Sequence, residues 1–254
     1  MATFSLVFGL ALASSNRGVL GARVELHYES LCKQCQVHVA GFTDDVIHGG
    51  LELSPESAGV LSELELSIDY YGVIAQNTTC EEAAAAANTE HGPDMCATDR
   101  VHLCAQSLYG GSAQGAAAAW WPFVHCMFMM IDGLKCGQNG HCANESDFQT
   151  AYAAVVPTCA ALASVDAAAV QACADGADGV ALAAASYEAT AHTASDGFAP
   201  AYVNGVYVDD ADAFWRDSPD QLLYGRTLLE TICGSFNADT ASRAAACANL
   251  TSTN

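Results

Sequence analysis

Positive charge is scarce in this chain of 254 residues. Lys and Arg number 8 against 29 Asp and Glu, a formal charge of −21 at pH 7 with histidine neutral. Such an excess repels phosphate backbones and anionic headgroups, which excludes nucleic acid as a partner and an electrostatic hold on a membrane surface. Charged residues of both signs make up only 15% of the chain while hydrophobic residues reach 52%, so an acidic disordered chain is excluded as well. Long apolar runs are missing: the alanine-rich stretches are broken by Asp, Glu, Gln and Gly, and none beyond the N-terminus reads as a membrane span. Much of the hydrophobic content is alanine, which buries little area, so the core is less rich than the percentage implies.

Cysteine, by contrast, is abundant. Twelve is an even number and more than a reduced intracellular protein usually carries. The N-terminus points to the same oxidising route. Phe4 to Ala13 is an apolar run of ten residues, followed by Ser14, Ser15, Asn16 and Arg17. It suits the core of a signal peptide and is too short to span a bilayer. The n-region carries no charged side chain, and a buried N-terminal element is the alternative. Residues 1–22 are therefore expected to be a signal peptide, cleaved between 13 and 22. Three glycosylation sequons, at Asn77, Asn144 and Asn249, agree with passage through the secretory pathway.

Along the mature chain, Val24 to Tyr28 alternates apolar and polar at period two and reads as a strand. Cys32-Lys33-Gln34-Cys35 follows. Val37, Val39, Ala40, Phe42, Val46 and Ile47 then read as one face of a helix that stops at Gly49-Gly50. Leu64 to Tyr70 is a second strand. From residue 79 to 193, alanine runs broken by Gly and Pro predict four or five short helices, stapled by the cysteines from Cys80 to Cys173. Ala201–Val203 and Val206–Val208 flank Asn204-Gly205, a strong signal for a tight hairpin because both turn positions need positive φ. Ser218-Pro219-Asp220 opens a last helix that runs to Cys233-Gly234.

This order predicts an α/β, thioredoxin-like fold with an inserted disulfide-rich helical subdomain. The expected divisions are 23–78 with the CxxC, 79–193 as the helical insertion, 194–236 with a cis-proline and the hairpin, and 237–254 as a tail. In such folds the proline before the hairpin, here Pro200, faces the CxxC, and the backbone of the residue before it, here Ala199, pairs with a substrate strand. A plain edge or turn marker is the other reading of Pro200.

The CxxC falls where a strand hands over to a helix N-terminus, whose open amides and partial positive charge favour a thiolate. Cys32 is thus expected to attack a disulfide and Cys35, one turn in, to resolve the mixed disulfide. Lys33, one of two lysines, adds a cation beside Cys32, and Glu29 opposes it. A zinc site is disfavoured because no second CxxC exists and Cys136 to Cys142 has the wrong spacing. Cys35 with His38 is a possible ligand pair, though a core or surface histidine is the simpler reading. A purely structural CxxC disulfide is the serious alternative; so short a loop gains little stability.

These residues resemble the gamma-interferon-inducible lysosomal thiol reductase family. Tyr28 to Cys35 looks like its active-site segment. His91-Gly92-Pro93-Asp94-Met95-Cys96-Ala97-Thr98-Asp99 with Cys104 keeps the spacing of its signature, with Glu90, Met95 and Asp99 standing where Gln, Glu and Asn are usual. Tyr71-Gly72, Pro122 to Met127, Pro157-Thr158-Cys159, Cys173 with Gly176 and Gly179, the Pro200 to Gly205 segment, and Cys233 with Cys247 extend the likeness from about Val24 to Cys247. The resemblance implies a thiol-disulfide oxidoreductase that reduces disulfide bonds of unfolded protein substrates at acidic pH, in a lysosome or vacuole or after secretion. No cofactor and no metal are expected, only an external thiol reductant.

The other ten cysteines read as scaffold. Cys136 with Cys142, Cys159 with Cys173, and Cys233 with Cys247 are plausible local bridges. Trp120-Trp121-Pro122-Phe123 is expected in the core, with a peptide-binding rim as the alternative. His91 and Gly92 are read as structural. A disulfide-stapled secreted binding module with the same fold and no turnover is the competing function, and oligomeric state is left open.

Overall fold

The computed structural model describes residues 21–47, 60–70, 80, 92–130, 145–191, 200–208, 221–236 and 247. Strand β1 (Ala22–Tyr28) is central and buried along most of its length. It pairs in parallel with β2 (Leu64–Tyr70), in register from Ala22 with Leu64 to Tyr28 with Tyr70. On its other side β1 pairs antiparallel with β3 (Ala201–Val203), which turns into β4 (Val206–Val208), giving the order β2-β1-β3-β4. Asn204 (φ 53°) and Gly205 (φ 77°) make the tight turn, as the Asn-Gly pair requires. Asn204 also ties the hairpin to β1: its N–H donates to the Arg23 carbonyl at 2.8 Å, and its Oδ1 accepts from the Arg23 N–H at 3.0 Å.

Helix α1 (Lys33–Gly41) leaves β1 through a four-residue connection and widens into a π-helical turn (Phe42–Ile47). Cys35, Val39, Phe42 and Val46 are fully buried, at spacings that keep one face inward. Val37 is 37% exposed, so it leaves the expected apolar face; two residues from Val39 is about 200° around a helix. A short 3₁₀ turn (Leu61–Glu63) leads into β2.

Between β2 and β3 lie five described helices: α2 (Gly92–Tyr109), α3 (Ala117–Met129), α4 (Glu145–Ala163), α5 (Ala167–Asp175) and α6 (Ala177–Thr190). Helix α7 (Gln221–Ser235) packs on α1, its π-helical continuation, β1 and β3. Strand pairing, the helix after the CxxC and the helical unit before β3 make this an α/β, thioredoxin-like fold.

The outer edge of β2 is closed by side chains. Gln106 of α2 acts as a surrogate strand: its Oε1 accepts from the Ile68 N–H at 2.7 Å and its Nε2 donates to the Ile68 carbonyl at 3.2 Å. Two residues on, Ser186 Oγ of α6 accepts from the Tyr70 N–H at 2.8 Å, and Thr190 Oγ1 donates to its carbonyl at 2.9 Å. An edge that would recruit another strand is thereby satisfied within the chain.

Trp120, Trp121, Phe123 and Phe128 of α3 are buried, so the aromatic cluster is core. Trp121 packs edge-on to Phe42 with ring centroids 5.0 Å apart, and its Nε1 donates to Thr43 Oγ1 at 3.1 Å, joining α3 to the helix that carries the CxxC.

Among the described residues four disulfides staple the helices: Cys80–Cys96, Cys104–Cys173, Cys126–Cys159 and Cys233–Cys247. The expected bridge between Cys159 and Cys173 is not formed. These two are near in sequence, but α4 packs on α3 and α5 packs on α2, so each cysteine meets a partner on a different helix. Gly179 permits the tight step from α5 to α6, because a Cβ there would fall 2.6 Å from the Cys173 carbonyl oxygen. Cys136 and Cys142, the N-terminal segment and the start of the last helix at Ser218–Asp220 lie outside the described residues.

Candidate active site at the head of helix α1

Cys32 ends the connection from β1 with extended backbone (φ −77°, ψ 117°), which makes it the N-cap of α1. Its Sγ takes the part usually played by an oxygen: the Cys35 N–H donates to it across 3.0 Å. The Cys32 N–H in turn donates to the Glu29 carbonyl at 3.1 Å, and the Gln36 N–H donates to the Cys32 carbonyl at 3.0 Å. The sulfur is therefore held at the positive pole of the helix, beside amides with no intrahelical partner, where a thiolate is favoured.

Cys32 and Cys35 stand as thiols outside any disulfide, whereas every other described cysteine is bridged. Both are buried, Cys32 at 2% exposure and Cys35 at 0%. Burial pushes the Cys35 thiol well above its ordinary value. The hydrogen bond and the charge of Cys32 add to the rise, as does the Glu29 charge, while a hydrogen bond with the Glu29 backbone opposes it. The two sulfurs are thus unequal. One caps a helix N-terminus, and the other is kept protonated behind it.

A buried polar network underlies this turn. Ser30, two residues before Cys32, donates its N–H to Asp99 Oδ1 at 3.2 Å and its hydroxyl to the Met95 carbonyl at 3.4 Å. Asp99 and Met95 are one turn apart on α2. Tyr187 of α6 donates its hydroxyl to Asp99 Oδ2 at 2.6 Å, and the same hydroxyl lies 3.2 Å from Cys80 Sγ in the Cys80–Cys96 bridge. Burial raises the Asp99 carboxyl to about 7; the bonds from Ser30 and Tyr187 pull it down, and the Glu29 charge adds to the rise. Beside it, Tyr70 and His102 share a hydrogen bond, with Tyr70 pushed well up by burial and then by the charges of Asp99, Cys35 and Asp69. Burial lowers His102 to about 3, so it is neutral.

Pro200 is buried, and its carbonyl accepts from the His27 N–H at 2.9 Å, one step beyond the β1–β3 pairing on the side that leads to Tyr28 and the CxxC. Ala199, and with it the Ala199–Pro200 bond expected to be cis, lies outside the described residues, as do Asn77, Asn144 and Asn249. His38, weighed with Cys35 as a ligand pair, is buried with its ring edge-on to Tyr28 at 6.4 Å. Among the described residues no three His, Cys, Asp or Glu side chains converge as metal ligands, and no helix is long and apolar enough to cross a membrane.

Sequence reasoning did not find Ser30 or Tyr187, and it noted Asp99 only as a departure from a spacing pattern. Its one accessible signal is that an acidic residue, Asp99, sits one helical turn from Met95, Cys96 and Leu103, on an inward face.

Residues 23–146 match the family model described as Gamma interferon inducible lysosomal thiol reductase (GILT). No curated protein matches the chain. Among solved structures, the oxidoreductase NmDsbA1 from N. meningitidis is similar at 11% identity and a TM-score of 0.45, covering 85% of this chain and 86% of its own. The oxidoreductase DsbA from Xylella fastidiosa is similar at 14% identity and a TM-score of 0.43, covering 84% and 86%. The cytosolic disulfide reductase DsbM from Pseudomonas aeruginosa is similar at 16% identity and a TM-score of 0.40, covering 82% and 97%.

Proposed function

We propose, for a chain that belongs through its residues 23–146 to the gamma interferon inducible lysosomal thiol reductase family, that it reduces disulfide bonds of unfolded protein substrates in an acidic compartment of the secretory pathway or after secretion. One observation carries the reading. Cys32 Sγ caps α1 through the Cys35 amide at 3.0 Å, and these two cysteines are thiols where every other described cysteine is bridged.

In this reading the Cys32 thiolate attacks one sulfur of a substrate disulfide. A Cys32–substrate disulfide forms, and the other substrate sulfur leaves as a thiolate that takes up a proton. Once Cys32 is in the mixed disulfide, its charge and its hydrogen bond no longer hold the Cys35 proton in place. Cys35 then loses that proton more readily and attacks Cys32 Sγ, expelling the second substrate sulfur. The products are a reduced substrate and a Cys32–Cys35 disulfide, which an external dithiol or pair of thiols reduces while becoming oxidised itself. Two electrons pass in each direction, and no resident cofactor is needed. Pro200, beside the C-terminal end of β1, with Ala199 before it, would receive the substrate backbone.

Cys32 is only 2% exposed. That burial is the observation favouring the competing reading of a stapled secreted module without turnover. Reduction of insulin at about pH 5 and about pH 7 separates the two. The reductase reading expects turnover that Cys32→Ser abolishes. No turnover in the wild type selects the module, and unchanged turnover in Cys32→Ser rejects the reductase reading through Cys32.

A further inference from the structure

Cys32 is reached through a tight turn that another helix holds in place. The Cys32 N–H donates to the Glu29 carbonyl at 3.1 Å, so residues 29–32 form a hydrogen-bonded β-turn with Ser30 and Leu31 at its centre. Its fourth residue, Cys32, is also the N-cap of α1. Such a turn pairs its first carbonyl with its last amide and leaves the amide of its second residue to find a partner elsewhere. That partner is on α2: the Ser30 N–H donates to Asp99 Oδ1 at 3.2 Å, and the Ser30 hydroxyl donates to the Met95 carbonyl at 3.4 Å. Met95 and Asp99 are four residues apart, so one helical face takes hold of Ser30 at two points. Leu31 beside it is fully buried, and Ser30 is buried too, so these bonds form away from water. Asp99 is itself fixed, because its Oδ2 accepts from the Tyr187 hydroxyl at 2.6 Å and leaves Oδ1 to Ser30. A buried carboxyl is costly unless its oxygens find donors, and here each oxygen has one.

We propose that Ser30 is a positioning residue for the dithiol: held by the Asp99 carboxyl and the Met95 carbonyl, it fixes the 29–32 turn so that Cys32 Sγ stands where the Cys35 amide donates to it. The contacts form an unbroken chain. Tyr187 orients Asp99, Asp99 holds the Ser30 amide, the turn sets the backbone of Cys32, and Cys32 Sγ accepts from the Cys35 N–H at 3.0 Å. The part asked of Asp99 is that of a hydrogen-bond acceptor, not of a charge. When the turn loosens, Cys32 leaves its cap geometry and its thiolate loses part of the hydrogen bonding that stabilises it at the helix N-terminus. Helix α2 then contributes to the reactivity of Cys32 without touching either sulfur of the dithiol.

The inference deepens the reductase reading and rests on it for its meaning, but its test needs no substrate. The full-length reduced chain is alkylated with iodoacetamide from about pH 4 to about pH 9, and the rate at Cys32 is read by mass spectrometry for the wild type, Ser30→Ala, Asp99→Ala and Asp99→Asn. Ser30→Ala removes the bond to Met95 and keeps the amide. Asp99→Ala takes the acceptor from that amide, whereas Asp99→Asn keeps an acceptor and removes only the charge. The Cys32 transition is expected to move up by about half a pH unit in Ser30→Ala and about one unit in Asp99→Ala, slowing alkylation below it about threefold and about tenfold. Asp99→Asn is expected to follow the wild type. An unmoved transition in either alanine variant overturns the proposal, and Ser30→Ala, which removes one atom, serves even if Asp99→Ala does not fold. A transition displaced as far in Asp99→Asn as in Asp99→Ala overturns it too, because the charge and not the acceptor would then matter. Failure of insulin reduction with the expected shifts present would reject the reductase reading alone.

Discussion

The backbone amide of Cys35 donates to the Sγ of Cys32 at 3.0 Å, so one sulfur serves as the N-cap of α1 while the other lies fully buried in its first turn. That asymmetry divides the labour between the thiols. A substrate would meet the sulfur at the helix pole, and the buried sulfur would act only after the first has been consumed.

The dependence of Cys35 on Cys32 has a measurable sign. Burial, the Cys32 hydrogen bond and the Cys32 charge all raise the Cys35 thiol, and Cys32→Ala removes the second and third of these. The alkylation profile of Cys35 is therefore expected to move to lower pH in Cys32→Ala, while burial keeps it above that of an ordinary thiol. A profile unchanged or moved upward would mean that Cys32 does not govern Cys35.

Asp99 also leaves a mark on stability. Its carboxyl is raised from 3.8 to about 7, so its contribution is fully present below the unfolded value and is lost as pH rises through the folded one. Asp99→Asn is expected to be more stable than the wild type at about pH 8, by up to roughly 4 kcal/mol, with the advantage gone below about pH 4. His102 works the other way. Burial lowers it from 6.5 to about 3, so its contribution is present above 6.5 and fades as pH falls towards 3. Urea unfolding of both proteins across this range isolates the Asp99 effect as the difference between the two curves.

Among the disulfides, Cys104–Cys173 closes 69 residues of chain and Cys233–Cys247 closes 14. The loop-entropy relation gives about 4 kcal/mol for the first and about 3 for the second. Paired Ser substitutions are expected to follow that order in guanidinium unfolding. A larger loss at Cys233–Cys247 would show that strain or packing, not loop closure, sets these contributions.

Much of this architecture was legible where the signal is local. Period-two burial gives β2 as Leu64–Tyr70, and Asn204-Gly205 gives the hairpin, because strand pleat and positive φ act within a few residues. The CxxC at a strand–helix junction was equally readable. The local bridge Cys233–Cys247 was readable too, but the partners of Cys159 and Cys173 were not, since their proximity along the chain says nothing of which helices pack together. Val37 fell off its expected face because an apolar residue two positions from Val39 cannot share that face. Asp99 is the clearest case. Its grip on Ser30 spans 69 residues, and only the tertiary arrangement reveals that a helix between β2 and β3 holds the turn carrying Cys32.

The central claim is that Cys32 attacks and Cys35 resolves. Its most direct test is to incubate reduced Cys35→Ser with an unfolded, disulfide-bonded protein, block remaining thiols and locate any adduct by non-reducing mass spectrometry. The expected result is a stable mixed disulfide through Cys32, absent when Cys32 is also replaced by Ser. No adduct, or one formed through a cysteine other than Cys32, would contradict it.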